Sequence, residues 1–295
     1  MRTIAPKKLR HIEGIDIFLF IILTAFGLLI FIPFMNVIAT SLTSYKEYLT
    51  SSLIIIPKNP ELKAYREIFT DPRILTGYRT SFFIIIVGVP LSLFLVSSLG
   101  YAMSRRNWPG RGLMFGLILI TMLFNGGIVP LYLVVRSLKL TNTLWSVILC
   151  SGLNTFYMML AYNFFQSLPE SLVESARLDG ASDWAILFRI VIPLSLPIMA
   201  TLTLFLTVDK WNEWFNAMIF IRRNNMQPLQ NVLRSIIVDA QTATEISSSM
   251  EISDRPNTQG VKMAAVIVTM LPIMCIYPFL QKHFAKGIMV GAIKA

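Results

Sequence analysis

Few residues of this chain could carry chemistry, and their spacing argues against most catalytic roles. His11 and His283 are the only histidines among 295 residues, and neither belongs to an H-E-x-x-H pair or to any other ligand cluster. No G-x-S-x-G elbow is present, so neither a metal centre nor covalent catalysis is expected. A G-x-x-x-x-G-K-[ST] phosphate loop is also missing, so any ATP that drives this protein has to be bound by another chain. What remains is a group of charges within an apolar stretch, Asp209, Lys210 and Glu213. A charge at the centre of a membrane helix costs roughly 2.5 to 3.5 kcal/mol. On a continuous helix Asp209 and Glu213 share a face that like charges normally avoid, with Lys210 off that face. They lie towards one end of the stretch, where water or mutual pairing removes most of the cost. A polar vestibule, or contact with a protein outside the membrane, would explain them.

The elements that must position these residues follow from composition. Hydrophobic residues make up 55% of the chain and charged residues 14%, with a mean hydropathy of +0.63, which leaves too little polar surface to cover a soluble globule. A spanning helix needs about 20 mainly apolar residues, and six such stretches occur, at 15–39, 80–103, 113–135, 143–164, 194–215 and 263–282. The fold class expected is therefore all-α membrane protein with six transmembrane helices, forming a single domain over 1–295. The first stretch follows Arg2, Lys7, Lys8 and Arg10 but is too long for a signal peptide and lacks a small-residue cleavage site, so it reads as a retained anchor. The net charge of +10 is spread over every loop rather than gathered with aromatics, which fits lipid contact and topology better than nucleic acid. Cys150 and Cys275 both fall in apolar stretches, where a small apolar role is usual.

Six spans put both termini on one side. The basic N-terminus and the short 104–112 loop with Arg105, Arg106 and Arg111 mark that side as cytoplasmic. Pro33, Pro90, the Gly126, Gly127 and Pro130 group, Pro197, Pro272 and Pro278 interrupt the spans, as backbone lining a transport path can. After Pro228, the residues Leu229, Val232, Leu233, Ile236 and Ile237 recur at helical spacing and predict a short amphipathic helix, followed by a flexible loop over 241–260. The cytoplasmic segment 165–193 reads as two short helices joined at a glycine. Ser167 and Glu170 fit a capping box around Pro169, the first helix runs to Asp179, Gly180 ends it, and Ser182 caps a second helix that stops before Pro193.

Within that segment stand Glu174, Ser175, Ala176, three residues, Gly180, nine residues, then Ile190, Val191, Ile192, Pro193. This resembles the E-A-A-x3-G-x9-I-x-L-P signature of the permease subunits of bacterial type I ABC importers, with Ser175 for the second Ala and Ile192 for Leu as departures. The position between the fourth and fifth of six spans also matches. Phe124–Pro130 in the third span, Trp211 to Trp214 at the end of the fifth and the stretch from Lys262 through Gly291 extend the resemblance to the carbohydrate-uptake branch, the type that takes up oligosaccharides or polysaccharide fragments.

The resemblance implies a coupling helix held by an ATPase, with Glu174 facing that subunit, Ser175, Ala176, Asp179, Ile190 and Pro193 completing the contact, and Gly180 allowing the bend. It implies a homologous second permease, two ATPase subunits carrying the ATP and Mg, an extracytoplasmic solute-binding protein and a bacterial plasma membrane location. The chain itself would hold no cofactor and bind no nucleic acid. Sugars are bound by stacking on aromatic faces and by hydrogen bonds from amides and acids. That makes Asn125, Tyr132, Asn154, Tyr157, Asn163, Trp211, Asn212 and Glu213 the candidates for the substrate path. The alternative is an ion-coupled secondary transporter, which calls for internal repeats and midplane carboxylates; neither is evident. An intramembrane enzyme would need a buried catalytic constellation, and the spans supply none.

Overall fold

The computed structural model describes residues 14–51, 53–105, 109–246 and 257–292, with side chains to 242 in the third stretch and to 276 in the last. Among these residues every regular element is helical. By contacts they form two compact units, one from the residues up to Ile68 and those within Asp239–Ile267, the other from those within Phe69–Val238 and Val268–Ala295.

In the first unit, α1 (Gly14–Ser41) exposes nearly all of its apolar side chains, as a helix solvated by lipid does. The two short helices α2 (Tyr45–Thr50) and α3 (Lys63–Thr70) follow. Asn36 donates from Nδ2 to the Ile54 carbonyl at 2.9 Å, and Glu47 accepts from the Lys58 N–H at 2.8 Å, tying this connection to itself.

The second unit is organised around α4 (Pro72–Ser104), which packs along α8 (Thr155–Gln166) and α12 (Leu196–Trp211). Asp71 caps α4 by accepting from the Arg73 N–H at 2.8 Å, and Pro72 supplies the preset first turn. Gly100 allows close approach to α8: a Cβ there would meet that of Ala161 at 3.1 Å.

Three helices, α1, α4 and α15 (Thr258–Ala292, its qualifying part Thr258–Ile276), are long and apolar enough to cross a membrane unbroken. Three bent pairs bring the possible crossings to six. The third predicted span is not one helix. It is α5 (Arg111–Leu123) and α6 (Ile128–Ser137), bent by 114° where Asn125 Oδ1 accepts from the N–H of Gly127, itself at φ +87°. The fourth is α7 (Leu144–Cys150) and α8, bent by 49°. The fifth begins at an 88° bend on Ser195 and ends at Trp211, so Glu213 lies beyond the helix and does not share a helical face with Asp209.

Three further expectations are corrected. Ser167 donates to the Phe164 carbonyl instead of capping, so α9 (Glu170–Leu178) starts at Pro169 without a capping box. The second loop helix does not stop before Pro193. After α10 (Asp183–Ile186) the chain widens into a π-turn over Leu187–Val191, a pattern that accommodates a residue without an N–H, and continues as α11 (Ile192–Leu194) through the proline. The helix after Pro228, α14, spans Leu229–Ile246 and buries Leu229, Val232 and Ile236; it and α15 take up both ends of the segment expected to be a loop, whose centre lies outside the described residues. Asn224–Met226 is a 3-10 turn after α13 (Phe215–Phe220).

Candidate functional site

The 165–193 loop is shaped by contacts a few residues apart. α9 buries Val173 and Ala176 in the cluster that contains Tyr101, Met158, Phe165 and Leu187, while Ser175 is exposed and Glu174, also exposed, borders a pocket that Tyr101, Arg105 and Trp184 line. Its end is a Schellman motif: the Gly180 N–H donates to the Arg177 carbonyl at 3.0 Å and the Ala181 N–H to the Ala176 carbonyl at 2.9 Å. The motif requires a left-handed residue, and Gly180 has φ +80°. Asp179 is the C-cap. Ser182 then caps α10, accepting from the Ala185 N–H at 3.3 Å. Arg177 reaches across the turn to Asp183 at 2.9 Å, and that hydrogen bond pushes the guanidinium pKa above its ordinary value. Ile190 is half-buried, while Pro193 is exposed two residues before the Ser195 bend.

At the far end of α12 lies a cavity of about 590 Å³. Its wall is built mostly from helix ends: Thr121 and Met122 near the end of α5, Cys150 to Phe156 across the α7–α8 break apart from Gly152, and Asp209 to Phe215 apart from Trp211 where α12 gives way to α13, with Leu206 added from the body of α12. Irregular backbone in an apolar chain is tolerated where protein buries it or where it lines a water-filled space, and here two such breaks, α7–α8 and α12–α13, meet on one cavity beside the end of α5.

Of the eight path candidates, Asn154, Asn212 and Glu213 line this cavity. Asn154 Oδ1 caps α8 by accepting from the Phe156 N–H at 2.9 Å. Asn212 accepts from Gln230 Nε2 at 3.2 Å, and Glu213 accepts from both the N–H and Nδ2 of Asn216 at 3.1 Å. Tyr157 joins them indirectly, donating to Asp209 Oδ2 at 2.7 Å. The other four lie elsewhere. Trp211 is only 2% exposed and packs against Tyr78 and Phe82 with ring centroids 6.2 and 5.7 Å away. Tyr132 stacks on Phe220, Asn125 serves the α5–α6 bend, and Asn163 sits exposed near the loop end of α8. Sequence reasoning missed Ser151 and Cys150 on the wall; the signal was the Ser151-Gly152 pair just before Asn154, a helix break followed by a cap.

Lys210 is 1% exposed, and its Nζ donates to the Ser151 carbonyl and Oγ, both at 2.6 Å, and to the Ile148 carbonyl at 3.4 Å. Its charge is thus met by the end of α7, where carbonyls lack helical partners and the dipole is negative.

The family model described as "Binding-protein-dependent transport system inner membrane component" matches residues 81–290. The chain is 39% identical over 279 residues to the polygalacturonan/rhamnogalacturonan transport system permease protein YtcP of Bacillus subtilis (strain 168), covering 95% of this chain and 98% of that one. It is 40% identical to protein LplC of the same organism over 268 residues, covering 91% and 90%. Among solved structures it resembles a chain of a bacterial ABC transporter involved in the import of the acidic polysaccharide alginate, with a TM-score of 0.85, 29% identity, and coverage of 95% of this chain and 100% of that one. The matched residues take in both the cavity and the 165–193 loop, and the chain belongs to the inner membrane components of binding-protein-dependent transport systems, a multi-pass permease subunit and not an enzyme.

Proposed function

We propose that this permease forms half of the translocation path of an ATP-driven importer of oligosaccharides or polysaccharide fragments, and that the 165–193 loop couples it to a separate ATPase. Its partners are a homologous second permease, two ATPase subunits that hold ATP and Mg, and an extracytoplasmic solute-binding protein. Both termini are cytoplasmic, so the loop faces the ATPase and the cavity faces outward.

One observation carries this reading. The exposed helix bearing Glu174 runs through Gly180, α10 and the Ser195 bend directly into α12, whose far end walls the cavity. A push on the loop is therefore delivered by covalent continuity to the cavity. Glu174, Ser175 and Asp179 offer the ATPase an exposed polar face, while Ala176 seats the helix on the bundle. At the cavity, Asn154, Asn212 and Glu213 supply amide and carboxylate groups suited to sugar hydroxyls. The substrates for which the Bacillus subtilis relative YtcP is named, polygalacturonan and rhamnogalacturonan, support the saccharide class.

The test is reconstitution with the second permease, the ATPase and the binding protein in proteoliposomes, followed by uptake of labelled oligogalacturonides and arabino-oligosaccharides. Native protein is expected to need ATP. Glu174→Lys and Gly180→Pro are expected to lose uptake together with their hold on the ATPase while remaining folded. Uptake that proceeds without the ATPase, or variants that behave as native, would replace this reading with an ion-coupled carrier.

A further inference from the structure

We propose that Lys210 is a positioning residue for transport: its buried ammonium latches α12 to the break between α7 and α8, so that movement of α12 carries the cavity wall with it. The inference rests on the permease reading above and adds the contact through which the cavity end responds.

The latch follows from where the charge lies and what meets it. An ammonium has three donors, and the three oxygens around Lys210 Nζ all belong to Ile148 and Ser151, at and just beyond the last turn of α7. Those groups precede the bend whose next residues, Leu153, Asn154 and Thr155, are cavity wall. The lysine stem is fitted as well as its head. It lies against Gly88 of α4, where a Cβ would approach Cε to 3.3 Å and Cδ to 3.5 Å. Lys210 itself is in the last turn of α12, a rod of 16 residues, about 24 Å long at 1.5 Å per residue, that starts at the Ser195 bend. The ammonium is thus at one end of the rod and the loop at the other. Asp209 and Glu213 are neighbouring charges but not hydrogen-bond partners of the ammonium; their carboxylates accept from Tyr157 and from Asn216.

Cys150 is a built-in reporter. It is half-buried, lines the cavity and adjoins Ser151. In the reconstituted transporter with Cys275→Ser, a membrane-impermeant maleimide is expected to label Cys150 at different rates in the nucleotide-free and vanadate-trapped states. Lys210→Met is expected to abolish that difference and to cut the maximal rate of ATP-dependent oligogalacturonide uptake about ten-fold, the scale set by losing charged hydrogen bonds, while the complex still assembles. Ser151→Ala removes only the hydroxyl acceptor and should give a smaller loss. Added to Lys210→Met, it should cost nothing more, because the two act through one contact. Should Lys210→Met fail to assemble, Ser151→Ala and Gly88→Ala, which keep the charge and crowd or thin its seat, carry the same expectation in milder form.

The latch is overturned if a native, ATP-dependent transporter shows no nucleotide-dependent difference at Cys150, or if the variants retain both that difference and the native rate. Additive losses in the double variant, with labelling unchanged, would make Lys210 a merely structural residue. ATP-independent uptake by the native protein would instead sink the permease reading itself.

Discussion

At the loop end of α12 the hydrogen bonds join near neighbours, Gly180 to Arg177, Ala181 to Ala176, Ala185 to Ser182 and Arg177 to Asp183, none spanning more than six residues, and the remote contacts there are apolar packing of Val173 and Ala176 on Tyr101 and Met158. At its cavity end the holding contacts join distant parts of the chain, Lys210 to Ser151 across 59 residues and Tyr157 to Asp209 across 52. Trp211, next to Lys210, rests on Tyr78 and Phe82 of α4. Locally bonded turns keep their shape when apolar packing on neighbouring helices slides, whereas a shape made of remote hydrogen bonds lasts only while those helices stay docked. The loop is thus suited to be moved as a rigid piece, and the cavity to open and close as spans rearrange.

The sharpest way to break this comparison is to weaken one end and watch the other. Trp211→Ala removes a nearly fully buried ring from the α4–α12 contact, a change that costs about 3 to 5 kcal/mol in a packed core. The expected result is a marked drop in the thermal unfolding midpoint in detergent, with amide exchange at Gly180 and Ala181 unchanged below that midpoint. If loop exchange accelerates along with the loss of global stability, the loop is not the self-held piece described here.

The same contrast explains what could be read in advance. The loop was legible because its devices are written in adjacent residues: Gly180 at the end of an amphipathic turn, and Ser182 three residues before the N–H it caps. The two exceptions were local too: Ser167 turns back to the Phe164 carbonyl instead of capping α9, and the π-turn that admits Pro193 has no sequence mark. Six spans were legible from apolar length, and the Gly126, Gly127 and Pro130 group marked the 114° break in the third, whereas Pro33 and Pro90, named on the same ground, sit inside the unbroken α1 and α4. The cavity wall was half legible: Asn154 and Glu213 stood out as polar residues in apolar stretches, while Trp211, chosen on the same ground, turned inward. Lys210 was noticed as a cost. Its partners, backbone carbonyls of Ile148 and Ser151, carry no side-chain signature that could reveal them.

A second prediction sharpens the loop side. At Gly180 a Cβ would meet nothing within 4 Å, so Gly180→Ala tests backbone conformation alone. Left-handed φ costs an L-residue about 1 to 2 kcal/mol. Ser182→Ala, which removes the N-cap, is expected to cost about 1 kcal/mol. Both losses should be confined to the loop, read as faster amide exchange from Gly180 to Ala185 and weaker retention of the ATPase in pull-downs, with the global midpoint nearly unmoved. A large fall in that midpoint would mean that the loop supports the bundle.

The smallest effect belongs to Arg177 and Asp183, an ion pair of 2.9 Å within the loop. Their side chains are 46% and 67% exposed, so water and salt screen most of the attraction and the pair contributes a fraction of about 1 kcal/mol. Arg177→Gln should therefore leave folding and thermal stability as they are, and any effect on ATPase retention should shrink as salt rises, because charges this exposed are screened over roughly 8 Å at physiological ionic strength. Lys210→Met, tested over the same salt series, should show a weaker dependence, since its ammonium is buried and its hydrogen bonds go to neutral oxygens. A salt-insensitive Arg177 effect would put that charge inside the ATPase contact, desolvated by the partner, and would make the loop's charge matter as much as the cavity's.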